Sequence, residues 1–223
     1  MNKPLLDTQI YPVPELILFV AGCFMWVIVY AIFIQRILQR KLIEMPFIAA
    51  ASNIAWEFLW GFVFYPDMGK LIHWGYKAWA ILDILIIYAV IQYGDWQVSS
   101  AQAKRFYKLL CAGIALFWLA VYYFLKRDGY DTPIGANSAY IAQILISIYY
   151  IPLILKSPLE KFSYPVLWLR TVGTGLITVF MFMHYTVGQN GLLHTLAAAS
   201  LVLDCFCIYV FIQKRKGASW TLA

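Results

Sequence analysis

Residues 47–65 read FIAAASNIAWEFLWGFVFY, an apolar run broken by one carboxylic acid, Glu57. A helix rises about 1.5 Å per residue, so a run of this length crosses most of a hydrocarbon core of about 30 Å. Glu57 lies ten residues beyond Phe47, about 15 Å along a helix and so half a core deep. An acid at that depth is costly, which makes it a functional-site hypothesis by default. The stretch therefore predicts a membrane-spanning helix built around a buried carboxyl.

Working outward, two more acids interrupt apolar runs, Asp83 and Asp204. Asp204 lies ten residues before Lys214, at about the same depth as Glu57 by the same arithmetic. The whole chain has this character: 63% of it is hydrophobic and 13% charged, against about 45–50% and about 25% in soluble domains. The expected fold is all-α, a single seven-helix transmembrane bundle over residues 1–223. The expected spans are 15–37, 47–65, 74–93, 106–125, 138–155, 165–187 and 192–213. The polar start, residues 1–14, followed by a run long enough to span, argues against a cleavable leader.

Lys and Arg give the orientation. Arg36, Arg40, Lys41, Lys104, Arg105, Lys108, Lys156, Lys161, Lys214, Arg215 and Lys216 fall on one side, and Lys3, Lys70, Lys77, Lys126 and Arg127 on the other. The richer side is expected in the cytoplasm, with the C-terminus there and the N-terminus outside. The net charge of +6 follows from these loops and is no nucleic-acid footprint. The four cysteines lie in apolar runs and have no zinc-ligand spacing, and no carboxylate cluster suits magnesium. Neither metal nor cofactor is expected.

Asn53 and Glu57 stand four apart, on one helix face, with Gly61 continuing it and Trp56 and Trp60 beside it. Asn or Gln would glue helices at less cost than an acid, so Glu57 is read as chemical. No Lys or Arg precedes Lys214 in the last span, which leaves Asp204 without a counter-ion and favours its proton-carrying form. Glu57 and Asp204 together read as a general-acid pair. Asp83 reads equally as a third member of the site, as a partner for Arg170, or as part of a polar network. Arg170 sits near a span end, where snorkelling explains it. His184, Gln189 and His194 read as interfacial polar groups. The aromatic content of 18% exceeds what an interfacial belt needs, and ring faces hold cations without offering a nucleophile.

The ordered motifs resemble a known family. Asn53-Ile54-Ala55-Trp56-Glu57 with Tyr65-Pro66, Trp79 and Asp83 with Tyr93-Gly94, Trp168-x-Arg170-x-x-Gly173, and Asp204 are similar to the membrane-bound terpene cyclases of meroterpenoid and indole-diterpene pathways, in a short, bacterial-type form. The resemblance implies that Glu57 and Asp204 protonate a terminal epoxide or alkene of a prenyl chain. It also implies that Asn53, Trp56, Asp83 and Arg170 support the site or line the cavity, and Trp60, one turn beyond Trp56, is expected to line it with them. The partners are then a lipophilic prenylated small molecule and membrane lipid. A small proton-coupled transporter, with the acids as a relay, is the competing reading. A retinal photoreceptor would need a lysine deep in a span.

Overall fold

The computed structural model describes residues 4–186 and 188–217. Lys3, the first residues of the polar start, and Val187, the expected end of the sixth span, lie outside them. Among the described residues the regular elements are all helical. They are α1 (Val13–Arg40), α2 (Phe47–Phe58) with a π turn (Leu59–Val63), α3 (Lys70–Tyr93), a short α4 (Ala101–Arg105), α5 (Tyr107–Arg127), α6 (Ala136–Lys156), α7 (Tyr164–His184) and α8 (Gly191–Arg215). Six of these, α1, α3, α5, α6, α7 and α8, have the length and composition of membrane spans.

The second expected span differs. Its apolar helix runs Phe47–Val63, about 25 Å at 1.5 Å per residue, short of a core of about 30 Å. Phe64 leaves helical geometry at φ −97°, ψ 164°, and Pro66 disfavours α geometry at Tyr65, so the helix does not resume. The third helix begins earlier than expected, at Lys70 after Gly69 at φ 111°. Lys77 does not interrupt it, since its ammonium lies 4.9 Å from the centroid of the Trp74 ring.

Packing brings α1 against α7, α6 against α8, and α2 among α3, α5 and α6. The α1–α7 seam depends on small residues: a Cβ on Gly22 would lie 2.6 Å from Ile177 Cγ1 and 2.7 Å from the Gly173 carbonyl. At the start of α6, Gly135 at φ 79° packs on the Trp60 indole, where a side chain would overlap the ring. At the opposite end, Lys214 Nζ donates to the carbonyls of Ile154 (2.6 Å), Leu155 (2.9 Å) and Ser157 (2.6 Å) and so closes the α6 C-terminus. Two apolar clusters fill the interior. One contains Val29, Phe33, Ile86, Tyr150 and Cys207, and the other Phe19, Trp56, Trp60, Tyr76 and Phe180. Asn53, Asp83, Gln143, Arg170 and Asp204 are buried where their helices pass from one cluster to the other, and Glu57 is buried among residues of the second.

Candidate active site

A cavity lies among α1, α2, α3, α6 and α7, with about 760 Å³ of empty space when its open mouth is counted. Phe19, Trp26, Tyr30, Trp56, Tyr76, Trp79 and Tyr140 line it, and its polar wall groups include Asn53, Glu57, Gln143 and Thr174. The rings come from four different helices, so spans that are ordinary in isolation make an aromatic chamber together.

Glu57 is on the wall and 2% exposed. Its Oε1 accepts from the Tyr30 hydroxyl and from Asn53 Nδ2 at 2.9 Å. Its Oε2 has no hydrogen-bond partner. Asn53 Nδ2 also lies 2.7 Å from Tyr30 Oη and 3.3 Å from Asp83 Oδ2. Asp83, fully buried, keeps Oδ1 without a hydrogen-bond partner. Of the readings open for Asp83, the geometry supports membership of the Glu57 network.

Asp204 has a different environment, and two expectations need correction. It does have a counter-ion: Arg170 Nη2 lies 3.1 Å from Asp204 Oδ1, with both groups buried. Arg170 does not snorkel; it is 1% exposed and its guanidinium lies over the Tyr150 ring. Charge count along α8 missed this pair because the cation comes from α7. Ser147 donates to the same Oδ1, and Gln143 Nε2 donates to Oδ2 at 2.8 Å. Gln143 is the wall residue, so Asp204 stands one side chain behind the cavity surface. Tyr30, Gln143 and Ser147 were not singled out from sequence. The last two repeat the four-residue spacing of Asn53 and Glu57, a signal that was there to be read.

Trp56 is fixed by its indole N–H, which donates to Ser138 Oγ (2.9 Å) and the Gly135 carbonyl (3.2 Å). Ser138 is held by Asp131, in the turn before α6. Burial pushes the Asp131 carboxyl up, while the Ser138 hydroxyl and the N–H groups of Ser138, Thr132 and Asn137 pull it back. Trp60 is fully buried but stands behind the wall, against Trp56, Phe64 and Tyr76. His184 pairs with Glu15 at 2.8 Å and stacks on Tyr11, away from the acids. His194 donates to the Asn190 carbonyl at 2.8 Å. Among the described residues, no group of three or more His, Cys, Asp or Glu is placed to hold a metal ion.

The sequence pattern of the Pyr4-like transmembrane terpene cyclases matches residues 4–216. The chain belongs to that family. Among its relatives, the Pyr4-family terpene cyclase mfmH of Annulohypoxylon moriforme is 27% identical over 124 residues, 55% of this chain and 50% of that protein. Terpene cyclase macJ of Penicillium terrestre is 24% identical over 230 residues, covering 96% of this chain and 87% of its own length. Terpene cyclase andB of Emericella variicolor is 27% identical over 172 residues, 74% and 70% of the two chains. This chain thus spans half the length of the mfmH cyclase and most of the macJ cyclase. No solved structure matches it.

Proposed function

We propose that this chain is an integral membrane terpene cyclase that starts carbocation cyclisation by protonating the end of a lipophilic prenylated substrate. The observation that carries this reading is the Glu57 carboxyl: on an aromatic cavity wall, with one oxygen free of hydrogen bonds and no salt-bridge partner among the described residues. Membership of a terpene cyclase family supports it over proton-coupled transport.

In this mechanism the Glu57 O–H proton adds to the terminal alkene carbon, or to the oxygen of a terminal epoxide. The alkene π pair or the breaking C–O bond leaves a tertiary cation. Each ring closure consumes one further π bond and moves the cation along the chain. The last cation is discharged when a base removes a neighbouring proton. Tyr30 and Asn53 hold the donor, and Asp83 shares its network. Asp204, salt-bridged to Arg170, acts as the anionic partner that fixes Gln143 at the wall. Trp56, Trp79 and Tyr76 present ring faces to successive cations. Trp60 supports Trp56 from behind. No metal enters the scheme.

The same reading makes the molecule a single domain in which α2 and its π turn provide a seventh crossing. The N-terminus is then outside and the C-terminus cytoplasmic. The test uses the full chain in lipid nanodiscs, offered farnesyl and geranylgeranyl chains on phenol and indole head groups, with alkene and epoxide termini. Conversion of a panel member to a cyclic isomer is the expected result. No isomerisation of any member would count against the reading.

A further inference from the structure

Glu44 lies between α1 and α2, outside the helices, yet is 3% exposed. The proposed chemistry does not use it. Three other segments converge on its carboxyl. The Tyr150 hydroxyl of α6 donates to Oε1, the Ser163 N–H before α7 donates to Oε1 at 2.9 Å, and Arg36 Nε of α1 lies 3.3 Å from Oε2.

Contacts continue from there to the cavity. The Arg170 guanidinium lies 4.7 Å from the centroid of the Tyr150 ring. Arg170 pairs with Asp204 at 3.1 Å, and Asp204 accepts from Gln143 at 2.8 Å. Gln143 is part of the cavity wall. Tyr150, Arg170 and Asp204 are all at most 1% exposed. In a close-packed interior such groups are constrained by their neighbours, so a displacement at one end of the chain is felt at the other.

We propose that Glu44 is a positioning residue for the cavity: as a carboxylate it fixes Tyr150, and through the Tyr150 ring and Arg170 it sets where Asp204 and Gln143 stand at the wall. This rests on the cavity being the cyclase site.

The groups facing Glu44 are Arg36 from α1, Tyr150 from α6, the Ser163 N–H, and Arg170 from α7. Burial pushes the Glu44 carboxyl up to about 7, against the pull of these four. It is therefore charged above about pH 7 and neutral below. The contribution to turnover is present above that pH and is lost as pH falls through it, because a neutral acid binds Arg36 and the Tyr150 hydroxyl less strongly.

The experiment measures turnover of whichever panel member the wild type isomerises, from pH 5.5 to 8.5, in full-chain nanodiscs. Glu44→Gln keeps the shape and the Oε1 acceptor but not the charge. It is expected to lower kcat about tenfold with KM changed by less than about twofold, as misplacement at a distance does. The wild-type inflection near pH 7 should be missing from it. Tyr150→Phe, which keeps the ring but removes the hydrogen bond, should lower kcat similarly, and the double variant should be no worse than either single one. The Tyr150→Phe arm decides the matter alone if Glu44→Gln does not fold. A Glu44→Gln enzyme with wild-type kcat and an unchanged inflection, or additive losses in the double variant, overturns the role of Glu44 while leaving the cyclase reading standing. A wild type that isomerises no panel member removes that reading, and this proposal with it.

Discussion

Glu57 and Asp204 are both buried carboxyls in apolar helices, but their neighbours give them different work. Glu57 meets a hydroxyl and an amide and keeps one oxygen free; Asp204 meets a guanidinium, a hydroxyl and an amide. Their amide variants should therefore differ. Glu57→Gln keeps an acceptor for Tyr30, so thermal unfolding in detergent should move by no more than about 1 kcal/mol, while product formation is abolished for want of a proton. Asp204→Asn should also abolish product, but it strands Arg170 as a buried unpaired cation, which costs about 3–5 kcal/mol. Near-normal turnover by both amides would show that the acids only join helices. Tyr30→Phe removes one donor to the carboxylate that Glu57 becomes as its proton leaves, a bond that gains charge in the transition state and is worth about 1.5 kcal/mol there, or about tenfold in kcat. Steady-state kinetics with unchanged KM is the check.

At the scale of elements, the site depends on how closely helices approach. The α1–α7 seam closes over Gly22 and Gly173, and the two helices carry Trp26, Tyr30 and Thr174 to the cavity. Gly22→Val should force the helices apart and cost about 1–3 kcal/mol by overpacking. Gly75→Ala is the control: nothing lies within 4 Å of a Cβ there, and alanine in a helix interior is favourable by about 0.5–1 kcal/mol over glycine. Equal melting shifts for the two would mean that the seam carries no constraint. Lys214→Met removes three hydrogen bonds at the end of α6. It should loosen that end first, seen as faster amide exchange at residues 154–157 than in the middle of α6.

For the molecule as a whole, the expected independence of metal is tested by chelation. Turnover of the prenylated panel should be unchanged in EDTA, since the proposed donor is a carboxyl and not a bound ion. A strict magnesium requirement would replace protonation by another way of generating the cation. Orientation is tested by protease access to terminal tags in sealed vesicles; an exposed C-terminal tag on the outside would reverse the topology drawn from Lys and Arg.

Much of this was legible in residues 47–65 and their like. Apolar run length set the helices, and the cost of burying an acid picked out Glu57, Asp83 and Asp204, because both effects act on one segment against a fixed hydrocarbon thickness. The four-residue spacing placed Asn53 beside Glu57 on one face. The short second helix was less legible, since its limit is set by a π turn and Pro66 and not by hydropathy. What only tertiary structure decided is which acid meets which partner. Asp204 lacks a cation along α8 and finds Arg170 on α7; Glu44, in the connection between α1 and α2, is buried by α1, α6 and the residue before α7. Sequence spacing fixes neighbours along one helix, whereas a carboxyl's proton and charge depend on groups within a few ångströms in space, and many of those come from other helices: Tyr30 is 27 positions from Glu57, Gln143 is 61 from Asp204 and Tyr150 is 106 from Glu44.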